Sequence, residues 1–404
     1  MLRGIVFFLA FALSGSAADH WVGTWGTAVV QRPHQGPLNL NNETLRQIVH
    51  TSIGGSRVRV VFTNQFGTAP LTIGAASLAL RDKESALVPN STRPLMFGGQ
   101  ASVTIPAGAI MLSDPVTQTV APMTDLAIDV YLPAEMLAPA SPMSVHPGAF
   151  QTTYVSQAGN FAGSADFTAA STATSWYFLS RVEVQAPERV GALVFFGDSI
   201  TDGTRSTPNT NSRWPDQLAR RLLAKPGSAA FGIINAAIAG NRLMSEGALN
   251  SGINALARFD RDVLAQPGAT EVIVMEGIND IGNARQNPIP GATDLIAAQE
   301  QMIERAHARG FKIIGVTLTP FEGAAYFTPE GEAKRQAVNE WIRGGKAFDA
   351  VIDFDEATRD PEHPARFLPL YDSGDHLHPN DAGYERMGKF VDLKVFSSKQ
   401  KTAP

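Results

Sequence analysis

A change of periodicity near Ala186-Pro187-Glu188-Arg189-Val190-Gly191 constrains this chain more than any other feature. Before it, apolar and polar residues alternate. Arg57 to Phe62 puts Val58, Val60 and Phe62 on one face, and Asp125 to Leu132 does the same with Leu126, Ile128, Val130 and Leu132. Period-two alternation belongs to strands with one buried and one wet face. Breaks at Gly54-Gly55, Asn64 to Gly67 and Pro106-Ala107-Gly108 separate such runs, and Trp176 to Val184 reads as the last strand. After residue 191, strand-like runs at 192–196, 231–236, 271–275, 312–318 and 350–354 alternate with helical stripes. The stripes are Trp214, Leu218, Leu222; Leu295, Ile296, Met302, Ile303, Ala306; and Ala337, Val338, Trp341, Ile342. Strand–helix alternation requires crossovers, hence a parallel sheet covered on both faces. The expected architecture is an all-β sandwich or jelly roll over 19–186, then a three-layer α/β/α domain with a parallel five-stranded sheet over 187–404.

Chemistry-bearing residues follow the expected parallel strands. Ala192 to Phe196 ends abruptly in Gly197-Asp198-Ser199, delivering a serine to the carboxyl end of a buried strand, where such sheets place their chemistry. Ile233 to Ile238 leads into Ala239-Gly240-Asn241, and Val272 to Met275 leads into Glu276-Gly277-Ile278-Asn279-Asp280. Near the C-terminus stands Asp375-His376-Leu377-His378-Pro379. A serine hydroxyl is a weak nucleophile that needs a base and a group to orient that base. Attack on a carbonyl also needs donors aimed at the developing oxyanion. Ser199 offers the oxygen, His376 or His378 the base and Asp375 the orienting carboxylate. Gly240 and Asn279 offer a backbone N–H and a side-chain amide.

These four stretches resemble the signature blocks of the SGNH hydrolases, also called GDSL esterases and lipases. Gly-Asp-Ser falls on Ser199, the second block's glycine on Gly240, Gly-x-Asn-Asp on Gly277 to Asp280, and Asp-x-x-His-Pro on Asp375 to Pro379. The resemblance selects His378 over His376 as the base. It implies a flavodoxin-like α/β/α fold and an oxyanion hole formed by the N–H groups of Ser199 and Gly240 with the Asn279 amide. Trp21 to Thr27, Arg57 to Gly67 and Pro70 to Ala75 resemble the β-domain of a secreted branch of the same family, some of whose members accompany xylan-degrading enzymes.

Each site residue also has a plainer reading. Ser199 is suited to capping a helix, Gly240 to a turn with positive φ, Asn279 to a turn bonding its own backbone, and Asp375 to His378 to a solvated loop before a helix opened by Pro379. Asp198 is expected to hold the loop through backbone N–H groups, since a carboxylate beside the nucleophile would oppose the developing charge. The Asp353-Phe354-Asp355-Glu356 run reads as a strand end and solvated loop.

Other chemistries lack their signatures. There is no Gly-x-Ser-x-Gly elbow, no P-loop and no Gly-x-Gly-x-x-Gly. Without cysteines or His-Glu-x-x-His, no metal and no cofactor is expected. A net charge of −5 gives no basic footprint for nucleic acid. At the N-terminus, Arg3, the apolar run Gly4 to Leu13 and the small residues Ser14 to Ala18 read as a signal peptide over 1–18. That predicts a secreted protein, periplasmic or extracellular, without stable membrane insertion after cleavage.

The sequence therefore predicts a secreted serine esterase working through an acyl-enzyme, removing short acyl groups such as acetyl from carbohydrate esters. A lipase or arylesterase is the alternative within the class; an inert glycan-binding protein is the alternative outside it. Covalent labelling by a fluorophosphonate separates the last from the others. Oligomeric state is left open.

Overall fold

A computed structural model describes residues 19–33, 40–134, 140–225, 231–284 and 287–396. The expected leader, residues 1–18, lies outside the described residues.

The N-terminal half consists of antiparallel sheets. One runs in the order Asp19–Gly26, Leu179–Pro187, Gly55–Thr63, Val116–Val120, with Ile110–Leu112 also paired to Gly55–Thr63. A second runs Ala169–Ala173, Thr153–Ser156, Glu43–His50, Asp125–Leu132, Ala75–Leu80, Arg93–Leu95. Val58, Val60 and Phe62 of the first share a core with Leu45, Leu126, Ile128 and Val130 of the second. That shared core makes the sandwich.

Three expectations need correcting here. Trp176 to Val184 is not one strand: Trp176–Tyr177 pairs with Met143–His146, whereas Leu179–Pro187 joins the first sheet. Phe178 makes the switch at φ +55°, its N–H bonded to Ser144 O at 2.9 Å and its carbonyl to Thr63 N–H at 2.8 Å. Second, Asp125–Leu132 has its polar face buried over its middle, with Asp125 and Tyr131 part-exposed at its ends. It lies between two other strands, and its polar-side residue Asp129 is buried because the Arg46 guanidinium meets both its oxygens at 2.8 Å. A paired charge can occupy an interior position that a lone one cannot. Third, the acidic run at 353–356 is not a solvated loop. Asp353 caps the helix Phe354–Thr358, and buried Asp355 bonds Arg335 and Arg343 at 2.6 Å each.

The C-terminal half carries the five expected parallel strands, Gly191–Gly197, Phe231–Asn235, Ala269–Met275, Lys312–Val316 and Ala350–Ile352, in the order 2-1-3-4-5. This is the flavodoxin-like order. Because the order reverses at the first strand, right-handed crossovers put the helices after strands 1 and 3 on opposite faces. Trp214–Ala224 thus packs with Asp381–Phe390 on one side, and Ala292–Ala308 with Pro329–Gly344 on the other. Trp214 is wholly buried between Phe195 and Phe354, edge-on to both with centroids 4.8 and 5.0 Å away. Each such pair contributes about 0.5–1.5 kcal/mol beyond its area. The reversal opens a crevice beyond the carboxyl ends of strands 1 and 3, where Ser199 and Asn279 lie.

The second strand is a sheet edge, and the β-half covers it. Asp19–Gly26 lies so close that a Cβ on Gly232 would stand 1.9 Å from Gly23 O. Ser52 Oγ accepts the Ile233 N–H at 2.8 Å, satisfying a group that an open edge would leave free.

Candidate active site

The first strand is buried from end to end and stops at a glycine for a steric reason. A Cβ on Gly197 would lie 2.4 Å from Met275 O, so only glycine lets strands 1 and 3 approach there. Asp198 then caps the short helix Ser199–Asp202, its Oδ1 accepting the Ile200 N–H at 3.0 Å. The loop-holding part expected of Asp198 is what the structure shows. Burial pushes its carboxyl up to about 7, against the opposing pull of the Ile200 N–H and His378.

The loop before the last helix brings a histidine to this serine. His378 Nε2 lies 2.8 Å from Ser199 Oγ, and His378 Nδ1 lies 2.8 Å from Asp375 Oδ2. Asp375 Oδ1 also accepts the N–H groups of Leu377 at 3.1 Å and His378 at 2.8 Å. One carboxylate thus fixes both the ring and the backbone that carries it. Desolvation pulls the Asp375 carboxyl up, but the His378 ring and N–H bonds prevail and hold it well below the usual range. His376 sits apart. It pairs through Nδ1 with Asp372 at 2.5 Å, is half exposed, and takes φ +60°.

Gly240 and Asn279 are joined through their neighbours. Gly240 turns at φ +75°, with Ser251 Oγ where a Cβ would point. The Asn279 amide, on the helix Ile278–Gly282, donates to the carbonyl of Asn241 at 3.1 Å, and Tyr326 Oη donates to Asn279 Oδ1 at 3.5 Å. One amide N–H is thus spent on the scaffold and the other is left for a ligand. Ser199, His378 and Asp375 form one bonded chain; Gly240 and Asn279 are held together on the ends of the neighbouring strands.

Several supporting residues carried no assigned role in the sequence. Asp280 accepts the N–H groups of Leu243 at 2.8 Å and Met244 at 3.1 Å, tying the Gly240 loop to the Asn279 helix. Burial pushes its carboxyl up to about 6, moderated by those donors. Fully buried Arg258 donates to Asn241 Oδ1 at 2.8 Å, Ala236 O at 2.5 Å and Gly197 O at 3.2 Å, gathering the ends of strands 1 and 2. Its nearest part of Glu276 is 3.9 Å away, and desolvation drives that carboxyl well above its ordinary value. Asp280 stood inside a recognised block, which was its only signal; Arg258 had none. Among the described residues, no group of three or more His, Asp or Glu side chains is arranged to hold a metal ion, and no helix is long and apolar enough to cross a membrane.

A strand-end serine bonded to a histidine–aspartate pair is the equipment of an acyl hydrolase. Residues 195–386 match the GDSL-like lipase/acylhydrolase family, and the chain carries its domain of that family there. It is accordingly an enzyme of the esterase and acylhydrolase class. Among solved structures, it is similar to a GDSL-like lipase from Bacteroides thetaiotaomicron VPI-5482 (21% identity, 52% of this chain and 88% of that one, TM-score 0.38). It is also similar to a variant of an acetyl xylan esterase from Geobacillus stearothermophilus (21% identity, 53% and 100% coverage, TM-score 0.40). No curated protein sequence matches the chain.

Proposed function

We propose that this chain is a secreted serine esterase in which Ser199, His378 and Asp375 act in series. The observation that carries the reading is the pair of 2.8 Å contacts from Ser199 Oγ to His378 Nε2 and from His378 Nδ1 to Asp375 Oδ2. His378 takes the Ser199 proton as the oxygen attacks the ester carbonyl. Asp375, held ionised, stabilises the imidazolium that results. The oxyanion is received by the N–H groups of Ser199 and Gly240 and the second Asn279 N–H. His378 then protonates the leaving alcohol, and water activated by the same ring releases the acid from Ser199.

For the substrate we propose short acyl groups, acetyl foremost, on carbohydrate esters. The support is the resemblance of residues 21–27, 57–67 and 70–75 to the β-domain of the secreted branch, with the leader at 1–18 directing export. One observation favours lipid or simple esters instead. Leu249, Ile289 and Leu370 are about 60% exposed, and they sit on the loops that follow Gly240 and Asn279 and precede Asp375. An apolar rim at that edge would suit a long acyl chain. Turnover of p-nitrophenyl esters of increasing acyl length, beside acetylated xylo-oligosaccharides, separates the two. Carbohydrate deacetylation with a sharp fall beyond butyrate is expected; a maximum at octanoate or longer would establish the second reading.

A further inference from the structure

Among the contacts between the family domain and the β-half is one buried side chain that reaches the helix begun by Ser199. His146, at the end of the strand Met143–His146, is 1% exposed. Its Nδ1 lies 2.7 Å from Ala28 O and its Nε2 lies 3.0 Å from Asp202 Oδ1. The Ala28 carbonyl can only accept, so Nδ1 carries its proton toward it, and Nε2 pairs with the Asp202 carboxyl. Asp202 ends the four-residue helix that Ser199 begins, and its Oδ2 accepts the N–H of Ala239 at 3.1 Å, one residue before Gly240. The Asp202 carbonyl receives Arg213 Nε at 3.1 Å, while Arg213 Nη2 donates to Ala149 O in the β-half. One buried carboxylate therefore links the Ser199 helix, the Gly240 turn and the β-half.

We infer that the β-half is a working part of the esterase, with His146 the positioning residue that sets the Ser199–Gly240 separation through Asp202. The inference rests on the assignment of Ser199 and Gly240 made above. Two N–H groups that must converge on one oxyanion, the Ser199 N–H and the Gly240 N–H, stand on different strand ends. Asp202 is bonded to both segments, and it is itself held in place from the other half of the molecule. Displacement of such donors by about 1 Å costs on the order of 10²-fold in rate. His146 touches no reacting atom and acts only through this linkage.

Two near-isosteric substitutions in the full-length protein separate positioning from mere structural support. In His146→Gln, the amide nitrogen falls near the place of Nε2 and keeps a donor for Asp202. In His146→Asn, it falls near Nδ1, keeping the Ala28 bond and losing Asp202. Each removes one buried hydrogen bond, so a purely structural role predicts similar effects. Positioning predicts that kcat per titrated active site falls at least about tenfold further in His146→Asn than in His146→Gln, with KM within about twofold. Affinity for a boronic acid, which forms a tetrahedral adduct on Ser199, should fall in step with kcat. Asp202→Asn, which cannot accept from both His146 and Ala239, should resemble His146→Asn and supplies the comparison if either histidine variant fails to fold. Equal kcat in the two histidine variants, or an Asp202→Asn enzyme within twofold of wild type, overturns the proposal while leaving the esterase reading intact. A wild-type protein that hydrolyses no ester and resists fluorophosphonate overturns that reading and this one with it.

Discussion

Substitution of Asn279 tests the proposed oxyanion hole most sharply, because the structure shows why its amide should be preorganised. Asn279 is 5% exposed, tethered by Nδ2 to Asn241 O at 3.1 Å and approached at Oδ1 by the Tyr326 hydroxyl at 3.5 Å. A donor held in this way does not reorganise as the carbonyl oxygen becomes charged, so its interaction grows mainly in the transition state. Asn279→Ala should lower kcat by roughly 10²–10³, or about 3–4 kcal/mol. KM should stay within about twofold, since the neutral ester gains little from the same donor. Loss of the Asn241 bond removes only about 1 kcal/mol of stability, a fall of about 1 °C in melting temperature for a chain of 404 residues. Asn279→Asp should be at least as damaging. It sets a carboxylate against the Asn241 carbonyl and the oxyanion, beside a neighbour at 280 already resisting ionisation. The assay is steady-state hydrolysis of p-nitrophenyl acetate normalised by active-site titration, with melting temperature measured alongside. An Asn279→Asp enzyme with near wild-type turnover would refute the oxyanion role and leave Asn279 a strut for the Gly240 loop.

Other substitutions give equally specific expectations. Ser199→Ala should abolish both turnover and fluorophosphonate labelling with the fold intact; more than a few per cent residual turnover would sink the nucleophile assignment. His378→Ala should cost several orders of magnitude in kcat and His376→Ala far less, since His376 is committed to Asp372 at the surface. Asp198→Asn keeps an oxygen for the Ile200 N–H and removes a carboxyl whose folded pKa, about 7, exceeds its ordinary 3.8. Between those values the folded protein retains a proton that the unfolded chain loses, so wild-type stability falls as pH rises. The melting-temperature advantage of Asp198→Asn should therefore grow from pH 4 to pH 7 and then level off; a pH-independent difference would contradict it. Asp280→Asn can accept only one of the two loop N–H groups and should lower kcat by roughly tenfold with a loss of about 1–2 kcal/mol, read by turnover and urea denaturation.

The fold was legible where periodicity was local. Each parallel strand is an uninterrupted apolar run because both its faces are covered, and that pattern survives in any window of five residues. Phe178 was not legible. Its positive φ is imposed by bonds to Ser144 and Thr63, residues far away in the chain, and Trp176 to Val184 scans as one strand without them. Asp129 and Asp355 misled in the same way, since a carboxylate reads as wet until its arginine is known. At the candidate site, Ser199, Asn279, Asp375 and His378 stood out because each follows a strand or precedes the last helix in a short fixed spacing. His146 and Arg258 act across the interior through single side chains in unremarkable segments. Nothing local marks them.

Electrostatics gives these carboxyl groups different tasks. Asp198, Glu276 and Asp280 lie beneath or beside Ser199, and burial raises all three, Asp198 to about 7 and Asp280 to about 6. A negative charge at any of them would oppose the oxyanion, and in a low-dielectric interior that opposition is poorly screened. Glu276 lies 3.9 Å from the Arg258 guanidinium, yet burial, with the Asp198 carboxyl adding to it, drives its own carboxyl well above the ordinary value. Asp375 stands on the far side of the His378 ring, where negative charge helps by stabilising the imidazolium, and there the ring and backbone N–H groups drive the carboxyl the opposite way. Groups of identical chemistry are thus pushed apart in acidity according to which side of the reacting serine they occupy. The spacing Asp-x-x-His places the one useful charge within reach of the ring and turns it away from the oxyanion. Burial makes the others harder to ionise.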